Sequence, residues 1–132
     1  MNSCPKLFRI DDQGFIENLK KVQSPNFDNR PKNIEIDLIV IHSISLPPNK
    51  FGGPYIEDFF QNKLASKKHP YFETIKDLKV SSHFLIKRSG EILQFVSCIN
   101  RAWHAGVSSW KNRDSCNDFS IGIELEGTDH EP

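Results

Sequence analysis

The length of 132 residues predicts a single domain over residues 1–132, with a core of modest size. Seventeen Lys and Arg residues balance seventeen Asp and Glu residues, and neither sign forms a long block. This balance excludes the basic surface expected of a protein that binds nucleic acid or an anionic membrane, and it favours a small molecule or another protein as the partner.

The N-terminal region is a poorly periodic lead-in of about 35 residues, with turn residues at SPNFDNRPKN before the first strand. Charges at Lys6, Arg9 and Asp11 interrupt the stretch where a secretory signal would be apolar. No apolar run elsewhere approaches the length of a membrane span. We therefore expect a soluble protein that stays in the cytoplasm.

The first predicted strand and helix follow the lead-in. The segment IEIDLIVIH, residues 34–42, is rich in branched apolar residues, which predicts an inner strand covered on both faces and ending at His42. After a Pro/Gly loop, PYIEDFFQNKLAS places Ile56, Phe59, Phe60 and Leu64 at helical spacing, which predicts a helix over residues 54–66. The next segment, HPYFETIKDLKVS, is interpreted as a turn.

The second half of the chain predicts three more strands. The runs HFLIKR and EILQFV flank Ser89 and Gly90 and indicate a hairpin with a two-residue loop. A long irregular connection, RAWHAGVSSWKNRDSCNDFS, leads to the strand SIGIELEG. One face of that strand carries Ile121, Ile123 and Leu125, and the other carries Gly122, Glu124 and Glu126.

About four strands and one good helix leave too little helix to cover such a sheet. Two explanations stay open at this point. The lead-in and the long connection fold over the second face, or the material that should cover it is absent after residue 132.

Two residues could carry chemistry on pattern alone. His42, at a strand end, is a possible zinc ligand, although its position alone better fits a half-buried histidine bonded to the backbone. Glu124 is a carboxylate within an apolar strand, so it faces a cleft as a general base or lies on the solvated side of an edge strand. Those alternatives are equally open, and Glu126 is assigned to the solvated side.

The remaining candidates are less specific. Trp103 and His104, in RAWHAG, could form a wall for a sugar or peptide, although such a Trp more often plugs the local core. No HExxH, HxH or CxxC motif is present, so the chain has no compact metal motif. The cysteines, Cys4, Cys98 and Cys116, are odd in number and far apart, which predicts reduced packing residues.

Several segments together resemble one family. They are VIHSISLPPNKFGGPYI, HPYF, VSSHFLIKRSGEILQFV, RAWHAGVSSW and CNDFSIGIELEGTD, and the resemblance as a whole runs from about Val22 to Asp129. In order and spacing they resemble the zinc-dependent N-acetylmuramoyl-L-alanine amidases, whose fold is shared with the peptidoglycan recognition proteins. Within that family they are most similar to the cytoplasmic branch that acts on anhydro-muropeptides in cell-wall recycling.

The resemblance implies an α/β fold with a mixed central sheet flanked by helices and one zinc ion in a groove on the sheet. The family holds zinc with two histidines, one aspartate and a water molecule. His42 matches the first zinc-binding histidine, and Glu124 matches the catalytic glutamate. His83, Trp103 and His104 match positions in or near the groove and are expected to support substrate binding. The implied partner is a muropeptide bound by a monomer, with no nucleic acid and no membrane.

The chain also departs from the family pattern. Three functional residues of the family have no match here: its second zinc histidine, its zinc aspartate and a lysine that stabilises the tetrahedral intermediate. The role of second zinc ligand is not carried over to His130. Ser43 stands where the family usually has asparagine, and Lys79 and Ser115 stand where it tends to have arginines. We therefore expect a C-terminally truncated member that binds zinc weakly and exposes apolar surface on its sheet. The alternatives are a muropeptide-binding module and an inactive product.

Overall fold

A five-stranded mixed sheet organises residues 8–131, the part of the chain that the computed structural model describes. Cys4, predicted to be a reduced packing residue, lies outside this range. In chain order the elements are β1 (Lys20–Lys21), β2 (Phe27–Asp28), β3 (Leu38–Ile44), α1 (Tyr55–Phe60), α2 (Pro70–Ile75), β4 (Phe84–Ile86), β5 (Ile92–Gln94), β6 (Arg101–Ala102), β7 (Ser109–Trp110), β8 (Arg113–Asp114) and β9 (Ser120–Glu126), with short 3₁₀ turns at Ser66–Lys68 and Cys116–Phe119.

The sheet has the strand order β1-β5-β4-β9-β3, so the last strand of the described residues lies inside it. Strand β9 is parallel to β3 on one side and to β4 on the other, whereas β4 and β5 are antiparallel. The register places His42 and Leu85 directly opposite Glu124. Because residues opposite one another point to the same face, these three side chains share one face of the sheet. The predicted mixed sheet flanked by helices is confirmed.

The side chains of β9 alternate between two faces as predicted. The face that carries the carboxylates is the more buried one, whereas a solvated edge strand would expose it. Gly122, Glu124 and Glu126 are buried, whereas Ile121 and Ile123 are only half-buried. The assignment of Glu126 to a solvated face is wrong, since its side chain is 4% exposed. The reason is that β9 is an inner strand and that Gly52, in the loop before α1, and Arg88, in the turn after β4, bond to the Glu126 carboxylate.

Strand β3 is an edge strand within residues 8–131, so the prediction of an inner strand covered on both faces is wrong. Ile39 and Ile41 are each 62% exposed on the face away from the helices. Branched apolar residues reveal a strand but not its neighbours, because an inner strand and an apolar edge strand have the same composition. The apolar surface expected on the sheet lies here.

The core lies between the sheet and the two helices. Phe60 of α1 meets Phe95 edge to face, with ring centroids 5.0 Å apart. The buried apolar side chains of this core are Leu46, Ile56, Phe59, Phe60, Phe72, Ile75, Leu85, Leu93, Phe95, Val96 and Ala102. Each helix has six residues, and no helix in the described part of the chain is long and apolar enough to cross a membrane.

The helices differ from the prediction in extent. Helix α1 ends at Phe60, earlier than predicted, because Asn62 takes a left-handed backbone (φ 60°) and its side chain exchanges hydrogen bonds with Asn26. The segment interpreted as a turn contains α2. Its start is capped by His69, whose Nδ1 accepts from the Tyr71 amide at 3.0 Å, with Pro70 as the first helical residue.

The predicted hairpin is confirmed as β4 and β5, but its loop has three residues instead of two. The Lys87 amide donates to the Glu91 carbonyl at 2.9 Å, and the Gly90 amide donates to the Lys87 carbonyl at 2.8 Å. Gly90 has φ +90°, so the loop is a turn followed by a left-handed glycine bulge.

The lead-in covers part of the face opposite the helices, as one of the two explanations required. Phe8, Ile16 and Leu19 lie over the strands and line an open apolar pocket of about 160 Å³. The sheet side of this pocket is formed by Phe84, Ile86, Ile92 and Ile123. Ile39 and Ile41, at the other edge of the sheet, do not line it.

Candidate active site

A groove of about 450 Å³ opens between the helices and the carboxyl ends of β3 and β9. One wall is apolar and comes largely from α1, α2 and the segment after α2. The other comes from the loop after β3 and from residues 127–129. The groove is lined by Ser43, Ile44, Ser45, Leu46, Pro48, Phe59, Phe60, Tyr71, Ile75, Leu78, Val80, Ser81, His104, Glu124, Gly127, Thr128 and Asp129. Apolar walls with a few convergent polar groups are typical of a small-molecule site.

Glu124 is a buried carboxylate on the floor of this groove. Its side chain is 8% exposed, and its buried Oε2 has no hydrogen-bond partner among the described residues. Burial raises the pKa of Glu124 to about 7. The structure therefore decides between the two readings of Glu124 in favour of the cleft, and a carboxylate with a pKa near neutrality is well suited to general base catalysis.

His42 lies beside Glu124, at the paired position of β3. Its Nε2 is 2.9 Å from Nδ1 of His104, and the two rings meet edge to face. The Nδ1 atom of His42 has no hydrogen-bond partner within residues 8–131, and burial lowers the pKa of this half-buried ring. A neutral imidazole with one nitrogen anchored and the other free has the form of a metal ligand.

His104 continues the chain of contacts from His42 into the sheet. Its Nε2 is 3.0 Å from the Ser120 hydroxyl, and burial, with the neighbouring His42, lowers the pKa of His104 to about 3. The ring lies directly on Gly122, where an added Cβ would be 2.4 Å from the imidazole. Ser120 and Gly122 thus fix the position of the His104 ring, which in turn contacts His42.

His83 lies next to Gly122, on the same face as Leu85 and Glu124, but it does not line the groove. It is fully buried. Its Nδ1 accepts from the Gly122 amide at 3.1 Å, and its Nε2 donates to the Asn100 carbonyl at 2.9 Å. Burial lowers the pKa of His83 to about 4. The nearest part of the site is His104, at 6.2 Å between ring centroids, so the predicted substrate contact of His83 stays a prediction.

Trp103 is held beside the groove by Asp28, to which its indole Nε1 donates at 3.2 Å. Its backbone amide donates to the Ser81 hydroxyl at 3.1 Å, and Ser81 lines the groove. Trp103 itself is not a lining residue, so its predicted role in substrate binding also stays a prediction. The structure thus brings together His42, His104 and Glu124.

Arg30 supports the site and was missed by the sequence analysis. Its guanidinium donates to the carbonyls of Asn117, Asp118, Cys98 and Ser120 at 2.9–3.2 Å. No pattern around Arg30 indicates these partners, which lie far along the chain. Ser120 was also missed, although it shares the alternating face of Gly122 and Glu124 and could have been found from that periodicity.

The residues of the site fit one ligand of a zinc ion but not a complete set. His42 offers a free, neutral nitrogen and is paired in register with Glu124, whose carboxylate has an unpaired oxygen, and this pair suits a metal with an activated water. Within residues 8–131 no group of three histidine, cysteine or acidic side chains is arranged to hold a metal. The further ligands of the family pattern therefore have no counterpart in the described residues.

The raised pKa of Glu124 predicts a pH-dependent stability. A carboxyl whose pKa rises from 4.5 in the unfolded chain to about 7 in the folded one favours folding when protonated, so stability falls as the pH rises between these values. Between pH 5 and pH 8 the Glu124→Gln variant should gain about 2–3 kcal/mol in its free energy of unfolding relative to the parent chain. Urea denaturation without metal at both pH values measures this, and an equal difference at both would contradict the raised pKa.

The sequence profile of the Amidase_2 family, N-acetylmuramoyl-L-alanine amidase, matches residues 31–132. The chain is 54% identical over 121 residues to the 1,6-anhydro-N-acetylmuramyl-L-alanine amidase AmpD of Haemophilus influenzae, covering 92% of this chain and 66% of that protein. It is 53% identical over 118 residues to AmpD of Citrobacter freundii, covering 89% of this chain and 63% of that protein. The chain thus spans slightly less than two thirds of the length of these relatives.

Solved structures agree with the sequence match. The crystal structure of a selenomethionine AmpD derivative superposes with a TM-score of 0.86 at 53% identity, covering 89% of this chain and 66% of that one. The solution structure of Citrobacter freundii AmpD superposes with a TM-score of 0.59 at 52% identity, covering 92% of this chain and 65% of that one. The groove, the paired His42 and Glu124 and these matches place the chain in the N-acetylmuramoyl-L-alanine amidase family.

Proposed function

We propose that the chain takes part in zinc-dependent hydrolysis of the amide between anhydro-N-acetylmuramic acid and L-alanine in muropeptides. The family match and the names of the relatives support this reaction and substrate. The proposal includes the cytoplasm as the compartment, since peptidoglycan recycling takes place there, and a monomer as the acting form.

One observation carries the proposal. Glu124 presents a buried carboxylate with an unpaired oxygen and a pKa of about 7 to a groove, and its register partner on the neighbouring strand is His42. A buried unpaired carboxylate costs stability, and such costly groups are concentrated at functional sites.

The groups of the site divide the work of the reaction. Oε2 of Glu124 can accept a proton from the attacking water and can later donate it to the amine of L-alanine as the amide bond breaks. His42 can contribute one nitrogen to a zinc ion, with its ring fixed by His104. When bound, zinc acidifies the water and polarises the amide carbonyl.

The shape of the groove suits a ligand with an apolar and a polar part. Phe59, Ile75 and Leu78 form an apolar wall suited to a sugar ring face and the lactyl methyl group. Ser45 offers a hydroxyl along the same groove, suited to an amide of the peptide, whereas the Ser81 hydroxyl is already bonded to the Asn26 carbonyl and the Trp103 amide. A ligand that covers this part of the groove also excludes water from the neighbourhood of Glu124. Exclusion of water keeps the pKa of the Glu124 carboxyl high.

The test follows release of peptide from anhydro-N-acetylmuramyl-L-alanyl peptide by mass spectrometry, and binding by calorimetry. We expect the purified chain to hold less than one zinc ion and to release peptide only when zinc is added in excess, because the described residues supply one histidine ligand. Chelation should abolish release. Binding heat without release would indicate a non-catalytic muropeptide-binding module, and the absence of both would contradict the proposal.

A further inference from the structure

Glu126 is a second buried carboxylate on the groove face of β9, and the proposed reaction does not use it. It lies two residues after Glu124 and is 4% exposed. The Gly52 amide donates to its Oε2 at 2.8 Å, and the Arg88 amide donates to its Oε1 at 3.1 Å. Each carboxylate oxygen thus receives a backbone hydrogen bond, which offsets the cost of burying the group.

These two amides belong to two separate loops at the same end of the sheet. Gly52 lies in the loop of residues 45–54 between β3 and α1, and Arg88 lies in the hairpin turn between β4 and β5. The Arg88 guanidinium also lies over the Phe51 ring, 4.7 Å from its centroid, and Arg88 Nη1 donates to the Glu131 carbonyl at 3.0 Å. Glu126 and Arg88 therefore join the loop, the turn and the segment after β9.

Two of the joined segments form one wall of the groove. Ser45, Leu46 and Pro48 come from the loop, and Gly127 and Thr128 come from the segment after β9. The distance of this wall from the helices therefore depends on how the loop is held.

The loop is held differently in its two halves. Its first half is bonded internally, since the Asn49 amide donates to the Ser45 hydroxyl at 2.9 Å and the Lys50 amide to the Pro47 carbonyl at 3.0 Å. In the second half, the Gly52 amide donates to Glu126. The carboxylate is thus the hydrogen-bonding anchor of the part of the loop that leads into α1, beside the contact of Arg88 with Phe51.

We propose that Glu126 is a positioning residue of the groove, whose carboxylate holds the loop of residues 45–54 at the width that a muropeptide requires. The identity of the ligand rests on the proposed function, whereas the link itself rests on the contacts above. Glu126 acts through the backbone of the loop and touches no reacting atom. It therefore acts on substrate binding and leaves the chemical step at Glu124 unchanged.

The test is the Glu126→Gln variant, which keeps the size of the side chain but replaces one accepting oxygen with a donor. We expect amide hydrogen exchange at Gly52 and Arg88 to become about tenfold faster or more, since a bond to a charged acceptor is lost. Exchange at Leu85 and Leu93, in the core of the sheet, should not change. The muropeptide dissociation constant, measured by calorimetry, should rise about tenfold, with kcat within about twofold.

The Glu91→Gln variant is the matched control, because Glu91 is an exposed residue of the same hairpin, and it should change neither binding nor exchange. Unchanged exchange at both amides in Glu126→Gln would overturn the proposal, as would a lower kcat with an unchanged dissociation constant. If Glu126→Gln also speeds exchange at Leu85 and Leu93, the Glu126→Asp variant, which keeps the charge, is measured in the same way.

Faster amide exchange at Leu85 and Leu93 in both Glu126→Gln and Glu126→Asp would contradict a role of Glu126 that is confined to the groove wall. A parent chain that neither binds nor cleaves the muropeptide would contradict the proposed function. The exchange rates at Gly52 and Arg88, measured without ligand, would still decide whether Glu126 holds the loop.

Discussion

The Glu124→Gln variant should release peptide from anhydro-muropeptide about 10² to 10⁴ times more slowly than the parent chain at the same excess of zinc, because an amide cannot take the proton of the attacking water. Its affinity for the muropeptide should stay nearly unchanged, since glutamine fills the same space on the groove floor. The two measurements are peptide release by mass spectrometry and binding by calorimetry. A loss in kcat without a loss in affinity is the signature of a group that acts in the transition state.

The Glu35→Gln variant is the control for this experiment, since Glu35 is exposed and precedes β3. It should match the parent chain in both rate and affinity. Retention of more than a tenth of the parent rate by Glu124→Gln would show that Glu124 is not the base. A parallel loss of rate and affinity would instead assign Glu124 to substrate binding.

The Gly122→Ala variant should damage the site without touching a reacting group. Its Cβ would be 2.4 Å from the His104 ring, so the ring must move off the sheet. Overpacking of this kind costs about 1–3 kcal/mol of the free energy of unfolding. Displacement of His104 also removes the anchor of His42, and misplacement by about 1 Å can lower the rate about a hundredfold.

Urea denaturation and nitrogen NMR of the imidazoles check this prediction. In the variant, the Nε2 signal of His42 should shift as its contact with His104 is lost. Gly106→Ala is the control, because Gly106 has no atom within 4 Å of an added Cβ and no positive φ. It should change stability by less than about 0.5 kcal/mol. Equal stability and unchanged imidazole signals in Gly122→Ala would contradict the close packing of His104 on β9.

Alternating patterns were the part of the fold most readily predicted. The hairpin of β4 and β5 and the two faces of β9 follow from a period of two, which depends only on neighbouring residues. Pairing depends on distant residues, so the sequence could not show that β3 lies at an edge or that β9 lies between β3 and β4. The exposure of Ile41 and the burial of Glu126 were missed for that one reason.

The site was predictable in part. His42 and Glu124 were found through the family resemblance, whereas pattern alone left His42 as a bonded core residue and Glu124 undecided. Their pairing across two strands required the register. Arg30 could not be found, because its function depends on carbonyl groups, which every residue has. The cap of α2 could have been found, since a polar residue before proline is a common helix start.

The strand order also has a consequence for how the chain folds. Among the described residues β9 comes last in chain order, yet it separates β3 from β4, and each of these pairs with it in parallel. Until β9 leaves the ribosome, the His42 strand therefore has no partner from residues 8–131, and the helices have only part of a surface to pack on. Parallel pairing between such distant segments is slow, because the chain entropy of closing a long loop is lost before contacts form. The pairing of His42 with Glu124 thus forms only once β9 has joined the sheet.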